Sequence, residues 1–262
     1  MIFSALRRWR RQRLLERLAI PDALWAEALS ALPFLSLYGS AEIARLRELA
    51  TLFLHEKSIV GAHAFEVTPL MRTVIAVQAC LPILNLGLEW YRGWENVVVY
   101  PGEFLPRHHY EDEAGVVHES DDPMAGEAMH GGPVALSWPD ALAGGDWHAT
   151  GMNLVIHEFA HKLDMLRGEA DGLPPLHATM SVRAWSEALG AAYEDFCARV
   201  DAGEDTAIDP YAAEHASEFF AVLAEVFFAE PGLLREEYPA VYEQFGLFFR
   251  IEPGAGRETP SA

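Results

Sequence analysis

Two histidines and one glutamate stand at a spacing that suits a catalytic metal site. His157, Glu158 and His161 form the pattern H-E-x-x-H within a mostly apolar segment at residues 153–166. Residues four apart on a helix lie on the same face, so both imidazoles can bind one tetrahedral Zn²⁺ ion. Glu158 lies beside the first histidine, where its carboxylate can accept a proton from the attacking water. The pattern therefore predicts one zinc ion per chain and a hydrolytic reaction.

The alternative is a pair of histidines that only fill the core. The predicted helix is apolar on nearly every side, through Leu154, Val155, Ile156, Phe159, Ala160 and Leu163. Two imidazoles and a carboxylate buried in such a helix cost free energy unless they bind something. The apolar setting therefore favours a metal site over a purely structural role.

A catalytic zinc ion needs a third protein ligand, and four carboxylates of this chain are candidates. Asp164 would lie about 10 Å from the first histidine along a straight helix, which favours contact with a ligand imidazole over a bond to the metal. Glu218 is preferred because it lies in a second apolar helical pattern, from about residue 211 to 229, where a carboxylate needs a partner. Glu225 and Glu214 are rivals for the role of third ligand. The alternative interpretation of Glu225 is a carboxylate that supports a ligand, and that of Glu214 is a solvated side chain.

Tyr211 shares one face of this second predicted helix with two of the candidate carboxylates. It precedes Glu218 by seven residues, and Glu225 follows Glu218 by seven. A phenol at the start of that helix can donate a hydrogen bond to the oxyanion that forms when water attacks a peptide bond. A tyrosine packed in the core would show the same spacing. The spacing alone leaves both interpretations of Tyr211 open.

The elements that must position these residues are mostly helices, with a small sheet. A β-branched run at 97–100 and an apolar run at 134–138 predict two strands. Between them, residues 102–133 predict a long loop with a hairpin around Gly115. Helices are predicted up to about residue 56 and then at about 73–90, 153–167, 183–200, 211–229 and 239–250. The fold class predicted from this pattern is α+β.

The same pattern divides the chain into three parts. They are a helical N-terminal extension at 1–70, a catalytic domain at 71–252 and a flexible tail at 253–262. In the helix that carries the H-E-x-x-H pattern, Asn153 is the expected N-cap and Gly168 the expected stop.

The charge of the chain argues against nucleic acid as a substrate. The formal net charge is −20. Residues 1–17 hold six arginines and one glutamate, which leaves 13 basic and 38 acidic residues in the remainder. Such an acidic body repels phosphate. The basic segment is interpreted as a solvated helix face, with contact to a membrane surface or to a partner as the alternatives.

The cysteine count and the apolar runs predict a cytoplasmic protein. No apolar run approaches the ~20 residues that span a bilayer, so no transmembrane segment is expected. Charged residues interrupt the stretch after the N-terminal arginines, which argues against a secretion signal. Cys80 and Cys197 are the only cysteines, too few for a disulfide framework.

The residues of the two predicted site helices resemble those of a known family. The segments NLVIHEFAHKLDML at 153–166 and SEFFAVLAEVFF at 217–228 are similar to the zinc segments of the Mlc titration factor A family of bacterial peptidases. Residues 97–101 and GEAMHGGPVALSW at 126–138 resemble further motifs of that family. The likeness extends over about residues 20–250. The family in turn resembles the gluzincin-like catalytic domain of anthrax lethal factor, which has a tyrosine seven residues before its glutamate ligand.

The resemblance implies a zincin-like fold with His157, His161 and Glu218 as zinc ligands, Glu158 as the base and Tyr211 as an assisting residue. It also implies aminopeptidase-like hydrolysis of small peptides and a cytoplasmic regulatory role, through binding a transcriptional repressor of the Mlc type. The alternative function is a non-catalytic protein that binds and titrates the repressor, with a weak or vestigial zinc site. The complete set of ligands and base favours catalysis, and the two functions can coexist.

Two positions depart from the expected patterns. Val222 stands where gluzincins of the thermolysin type carry an aspartate, four residues after the ligand glutamate. Support for a ligand histidine is therefore expected from Asp164 or Glu225. Met129 occupies a position where the family is expected to have tryptophan, which predicts different packing beside the cleft.

The acidic loop from about Arg107 to Pro133 is a candidate gate of the cleft. Its acidic residues are Glu111, Asp112, Glu113, Glu119, Asp121, Asp122 and Glu127. Carboxylates there would attract a free amino terminus and so favour an aminopeptidase. The alternative is a solvated surface loop with no effect on the substrate. The strand at 134–138 is the expected edge to which a substrate backbone adds.

Overall fold

The structure is a computed structural model that describes residues 13–105, 109–111, 117–119 and 124–255. The first elements are helical, with α1 at Asp22–Ser30 and α2 at Ser40–Glu56. A 3₁₀ helix at Pro33–Leu37 separates them, because Pro33 suits the first turn of a helix and not its interior. The helices predicted up to about residue 56 are confirmed from residue 13 onward, whereas residues 1–12, which hold most of the basic N-terminal segment, lie outside the described residues.

Within the described residues, six strands form two sheets. They are β1 (Ser58–Gly61), β2 (Asn96–Tyr100), β3 (His109–Glu111), β4 (Val117–Glu119), β5 (Gly126–Ala128) and β6 (Val134–Ser137). The larger sheet has the order β1-β2-β6-β5, in which β1, β2 and β6 are parallel and β5 is antiparallel to β6. Strands β3 and β4 form an antiparallel pair. This pair confirms the predicted hairpin, although Gly115 lies outside the described residues.

The position of β6 corrects one prediction. This strand pairs with β2 on one side and with β5 on the other, so it is an interior strand. The prediction of a substrate-binding edge at 134–138 is therefore wrong, and the short strand β5 borders the sheet instead. Trp138, predicted as the end of the strand, begins the next helix, because Pro139 suits a first helical turn.

Eight further α-helices follow in the described part of the chain. They are α3 (Pro69–Cys80), α4 (Trp138–Ala143), α5 (Trp147–Thr150), α6 (Leu154–Asp164), α7 (Val182–Asp201), α8 (Ala216–Ala229), α9 (Pro231–Glu237) and α10 (Pro239–Phe249). The helix predicted at 73–90 is wrong in its second half, since Pro82 lacks the N–H that would continue it. Helix α9 was not expected. It begins at Pro231, which can start a helix as well as end one.

Helix α6 occupies the centre of the molecule. It contacts β5, β6 and α8, and all 11 of its residues are buried. One hydrophobic core extends along the described chain from Ile20 to Ile251. The fold is α+β, mostly helical with a small mixed sheet, as predicted. The division into an extension at 1–70 and a catalytic domain stays a prediction.

Neither cysteine of the chain forms a disulfide. Cys80 is buried in the core and Cys197 is half-buried, and both are free thiols. Among the residues that the structure describes, we find no helix that combines the length and the apolar character needed to cross a bilayer.

Candidate metal centre and catalytic cleft

Helix α6 begins at a tightly bound N-cap. The side-chain oxygen of Asn153 accepts a hydrogen bond from Ile156 N at 2.9 Å, as the sequence predicted. The Asn153 amide also donates to Gln78 Oε1 and Gly144 O, both at 2.8 Å. Gly168, the predicted stop, has a φ of 146°, which favours glycine. The helix that carries the histidines is thus fixed at its start by contacts with two other segments.

Three side chains of α6 and α8 converge on one point. His157 Nε2 and His161 Nε2 are 3.1 Å apart, and Glu218 Oε2 lies 3.0 Å from the first and 3.3 Å from the second. A tetrahedral zinc ion with bonds of ~2.0–2.1 Å separates its ligand atoms by about 3.3 Å. The three atoms are therefore spaced like three ligands of one such ion.

The hydrogen bond at Nδ1 of His157 indicates that the three converging atoms attract a cation. Its Nδ1 atom is 2.7 Å from Glu225 Oε1. An ionised carboxylate can only accept, so we assign the ring proton to Nδ1. In the neutral ring, Nε2 then carries a lone pair that faces the carboxylate of Glu218. Two facing acceptors are stabilised by a cation between them, so this set of atoms fits a metal ion.

Protonation of His157 would also stabilise these facing acceptor atoms, without a metal ion. Burial alone would lower the pKa of His157, but its hydrogen bonds to Glu218 and Glu225 raise the pKa well above its ordinary value. Burial would raise the pKa of Glu218, yet hydrogen bonds from His157 and His161 hold it well below its usual range. The site thus attracts positive charge in either form, and we expect metal binding to release a proton.

Glu158 lies at the wall of the cleft, against strand β5. Its side chain is buried, and Gly126 leaves the room for it: a Cβ atom at Gly126 would lie 2.5 Å from Glu158 Oε1. Burial raises the pKa of Glu158 to about 7, although the nearby His157 and His161 oppose the rise. A carboxylate with such a pKa is suited to accept a proton near neutral pH.

Tyr211 does not belong to helix α8, which corrects the predicted helix at 211–229. It lies in a 3₁₀ helix at Pro210–Ala213, and α8 begins only after His215, whose backbone is extended. The Tyr211 ring still lies near the site, with its centroid 6.1 Å from that of His157. Burial and then the charge of Glu218 raise the pKa of Tyr211 to about 12, so the phenol keeps its proton at neutral pH.

The 3₁₀ segment that carries Tyr211 has its own anchors. Asp209 Oδ1 accepts a hydrogen bond from Tyr211 N at 2.9 Å, and Tyr193 on α7 donates its hydroxyl to Ala213 O at 3.1 Å. Tyr211 is 49% exposed. The phenol is thus presented to the cleft from a fixed segment, and it is not packed in the core.

A cavity of about 580 Å³ opens beside these candidate ligands. It is lined by Met124, Ala125, Gly126, Gly151, Met152, Leu154, His157, Glu158, Asp209, Tyr211, Val222 and Glu225. A mostly apolar wall with a few polar groups is typical of a ligand-binding cleft. Val222, where an aspartate was expected, adds apolar surface to this wall.

Comparison with known proteins agrees with this geometry. A family model, that of the glucose-regulated metallo-peptidase M90, matches residues 6–250 of the chain. The chain belongs to this family. The M90 assignment covers both helices of the candidate metal centre, and it confirms the resemblance inferred from their residues.

Individual relatives of this M90 chain cover nearly its whole length. Mlc titration factor A of Klebsiella pneumoniae is 40% identical over 235 residues, or 89% of this chain and 88% of the relative. The protein of the same name from Salmonella agona is 41% identical over 237 residues, or 88% of this chain and 87% of the relative. That of Edwardsiella ictaluri is 40% identical over 232 residues, which cover 87% of each chain.

Glu225 supports the first histidine of the M90 site. The residue is 3% exposed; Oε1 contacts His157 Nδ1, and Oε2 accepts a hydrogen bond from Asn153 N. Burial raises the pKa of Glu225, while the hydrogen bond with His157 partly offsets the rise. Glu225 therefore makes the contact expected of the aspartate that thermolysin-type gluzincins carry at the position of Val222. Glu225 was one of the two residues that the sequence left open for this contact.

Asp164 does not make the predicted contact with a ligand imidazole. Its Oδ2 atom accepts a hydrogen bond from Gly172 N at 2.7 Å. Among the described residues, neither Asp164 Oδ1 nor His161 Nδ1 has a hydrogen-bond partner. Glu214, the remaining rival, is exposed, in line with its interpretation as a solvated residue.

The acidic loop from about Arg107 to Pro133 is described only in part. Residues 106–108, 112–116 and 120–123 of the acidic loop lie outside the described residues. The gating hypothesis for the loop therefore stays a prediction.

Gly126 was missed as a site residue. Its signal was a glycine in a strand pattern, which often marks a close approach to another group.

Replacing Glu225 with glutamine should weaken metal binding by about 10–100-fold, because the residue that orients a ligand histidine loses its charge. Competition with a chelator would measure the dissociation constant. Glu214→Gln is the matched control, since it removes an exposed carboxylate just before α8, the helix that carries Glu225. An unchanged affinity in Glu225→Gln would rule out the supporting role.

Proposed function

We propose that this chain is a zinc-dependent peptidase of the aminopeptidase type. The observation that carries the proposal is the convergence of His157 Nε2, His161 Nε2 and Glu218 Oε2, with separations of 3.0–3.3 Å. These atoms lie beside a cleft that Glu158 also lines. Membership of a metallopeptidase family supports the same reaction class.

Zinc is the metal that suits these ligands best. Two imidazole nitrogens and one carboxylate oxygen match the ligand set of peptidases in which a fourth position stays open for chemistry. When bound, zinc makes a water molecule nucleophilic and polarises the carbonyl group of the substrate. His157, His161 and Glu218 would hold the ion, and Glu225 would keep His157 in the tautomer that binds it.

Glu158 and Tyr211 supply the proton chemistry in this proposal. Glu158 accepts a proton from the attacking water, since its carboxylate is next to the ligands and its pKa is raised by burial to about 7. Glu158 can then deliver this proton to the leaving amine. Tyr211 donates a hydrogen bond to the carbonyl oxygen as negative charge develops on it. The raised pKa of Tyr211, about 12, keeps the phenol a donor.

Strand β5 is the surface on which a peptide would lie. One edge of β5 pairs with β6. In the part of the chain that the structure describes, no strand pairs with its other edge. A peptide in extended conformation can add to such an edge through backbone hydrogen bonds. Because Gly126 touches Glu158, a peptide bound there would pass close to the catalytic glutamate.

The charge of the cleft favours cleavage near an amino terminus. Three carboxylates, those of Glu158, Asp209 and Glu225, line the cavity, and the whole chain carries −20. Carboxylates attract the ammonium group of a free peptide amino terminus and repel a free carboxylate. An aminopeptidase is therefore proposed in preference to a carboxypeptidase.

A second function rests on the names of the relatives. The relatives from Klebsiella, Salmonella and Edwardsiella are called Mlc titration factor A. We propose that this chain acts in the cytoplasm and binds a repressor of the Mlc type. Titration without catalysis is the alternative to the peptidase. Catalysis is preferred because the candidate ligands, base and cleft occur together.

Peptide hydrolysis before and after metal removal tests the proposal. The protein should cleave a short peptide with a free amino terminus, lose activity in a chelator and regain it with added zinc. The N-acetylated form of the same peptide is the control for the amino-end preference. Full activity in the chelator, or none after loading with zinc, would refute the peptidase; repressor binding by an inactive protein would favour titration.

Replacing Tyr211 with phenylalanine should lower turnover by about 10²–10³-fold, because one hydrogen bond to the developing oxyanion is lost. The ring stays in place, so the melting temperature and the bound zinc should not change. Tyr193→Phe, which removes a hydroxyl from the neighbouring segment, is a comparison for indirect effects. Normal turnover in Tyr211→Phe would return Tyr211 to a structural role.

A further inference from the structure

Lys162 follows the second histidine directly, yet neither the metal centre nor the catalytic step uses it. The residue lies on helix α6 and is only 3% exposed. Its ammonium group donates to Met129 O at 2.7 Å and to Gly132 O at 2.9 Å. Both carbonyls belong to the segment at 129–133 that joins β5 to β6, which we name the β5–β6 turn. The contact therefore ties the catalytic helix to the edge strand.

The β5–β6 turn is compact, but its own hydrogen bonds do not attach it to the helix. Met129 N donates to Pro133 O at 3.1 Å, and Gly132 N donates to Met129 O at 3.0 Å. Gly131 has a φ of 63°, a left-handed conformation that suits glycine. These contacts fix the shape of the turn, whereas Lys162 fixes its place relative to α6.

Lys57 provides an internal comparison. Its ammonium group lies 3.9 Å from the centroid of the Trp94 ring, and that of Lys162 lies 5.0 Å from the same centroid. Lys57 donates to Tyr91 O and Trp94 O, which are remote in sequence from the β5–β6 turn. The two lysines thus share a buried environment but hold different segments.

A buried ammonium group is expensive, because it gives up its hydration. A lysine in this position is therefore a candidate for a specific task. The task is suggested by what the turn carries: strand β5 lies against Glu158 so closely that a Cβ atom on Gly126 would be 2.5 Å from Glu158 Oε1. A small displacement of β5 would change where a bound peptide meets the catalytic glutamate.

We infer that Lys162 is a positioning residue for extended peptide substrates. It holds the β5–β6 turn on helix α6, and thereby sets the distance of the outer edge of β5 from the catalytic centre. The inference rests on the proposed peptidase function. It also defines a substrate class, since only a substrate with backbone beyond the cleaved bond can pair with the edge of β5.

The test compares Lys162→Met with Lys57→Met on two substrates. One is a tetrapeptide amide with a free amino terminus. The other is an aminoacyl 4-nitroanilide, which has no peptide backbone beyond the cleaved bond. Loss of one or two strand hydrogen bonds should raise KM for the tetrapeptide by about 10-fold in Lys162→Met, with kcat and zinc content nearly unchanged. KM for the nitroanilide should stay the same.

The controls separate positioning from stability. Lys57→Met should leave the ratio of the two KM values as in the wild type, even if it lowers the melting temperature. Lys162→Arg retains the charge and donors, so it should restore most of the tetrapeptide binding. Equal effects of Lys162→Met on both substrates, or the same change of ratio in Lys57→Met, would overturn the inference. If Lys162→Met does not fold, Lys162→Gln replaces it in every comparison.

A readout without catalysis distinguishes this inference from the proposed function. Amide hydrogen exchange of residues 126–132 is measured in the metal-free proteins. Faster exchange confined to this segment in Lys162→Met, and absent in Lys57→Met, supports the attachment of the turn by Lys162. Equal exchange in the two variants overturns it. A wild-type protein that cleaves neither substrate after zinc loading contradicts the peptidase proposal, and the exchange result then decides the inference about Lys162.

Discussion

The Glu158→Gln variant should bind zinc like the wild type and turn over peptides about 10²–10⁴-fold more slowly, which is the usual contribution of a general base. Glutamine keeps the shape of the side chain beside Gly126 but cannot accept the proton of the attacking water. The measurement is kcat for a short peptide, together with the zinc content of the same sample. Turnover close to that of the wild type would exclude Glu158 as the base.

The pH dependence adds a check on the same residue. Burial raises the pKa of Glu158 to about 7, and a metal ion beside it should lower this value. The carboxylate form is the active one, so activity should fall as the pH drops through this pKa. The acid limb of the profile should therefore lie below pH 7 in the zinc-loaded enzyme. An acid limb above pH 7 would contradict the assignment.

The Glu218→Ala variant should lose metal affinity by more than the about 100-fold expected at most for a residue that only supports a ligand. Glu218 Oε2 lies 3.0 Å from His157 Nε2 and 3.3 Å from His161 Nε2, so its removal opens a second coordination position. Peptide hydrolysis should disappear at zinc concentrations that saturate the wild type. The zinc content after dialysis and the activity in a zinc titration measure both effects.

Two carboxylate variants act as controls for Glu218→Ala. Glu214→Ala removes an exposed side chain of the same segment and should keep its zinc. Asp164→Ala removes a carboxylate that accepts a hydrogen bond from Gly172, so it should lower the melting temperature more than the zinc content. If Glu218→Ala keeps its full zinc content and Asp164→Ala loses it, Glu218 is not the third ligand.

Local patterns in the sequence were sufficient for the centre of the site. The four-residue spacing of His157 and His161 depends only on helical geometry, and the Asn153 cap only on the next turn of chain. Glu218 could be preferred because a carboxylate in an apolar helix needs a partner. The histidine spacing and the cap could be predicted because each concerns residues within one element, where the spacing along the chain fixes the spacing in the molecule. That Glu218 meets both histidines depends on the packing of α8 on α6, and the role of the three residues as zinc ligands stays a prediction.

The remaining features depend on contacts between distant segments. The extended backbone at His215 separates Tyr211 from α8. No proline or glycine at this position indicates the break between the two elements. Strand β6 was taken for an edge because the sequence does not reveal that β5 pairs beside it. The contact between Glu225 and His157 joins residues 68 positions apart, and only the packing of α8 on α6 decides it.

The complete burial of helix α6 has a consequence for how the enzyme can be controlled. The helix is held by its cap and is buried along its whole length, so we expect that the fold does not need the metal as a small zinc finger does. Chelation would then leave an intact protein with no activity, ready to be loaded again. With the zinc site proposed above, the supply of zinc in a cell would set the fraction of working molecules at constant protein abundance.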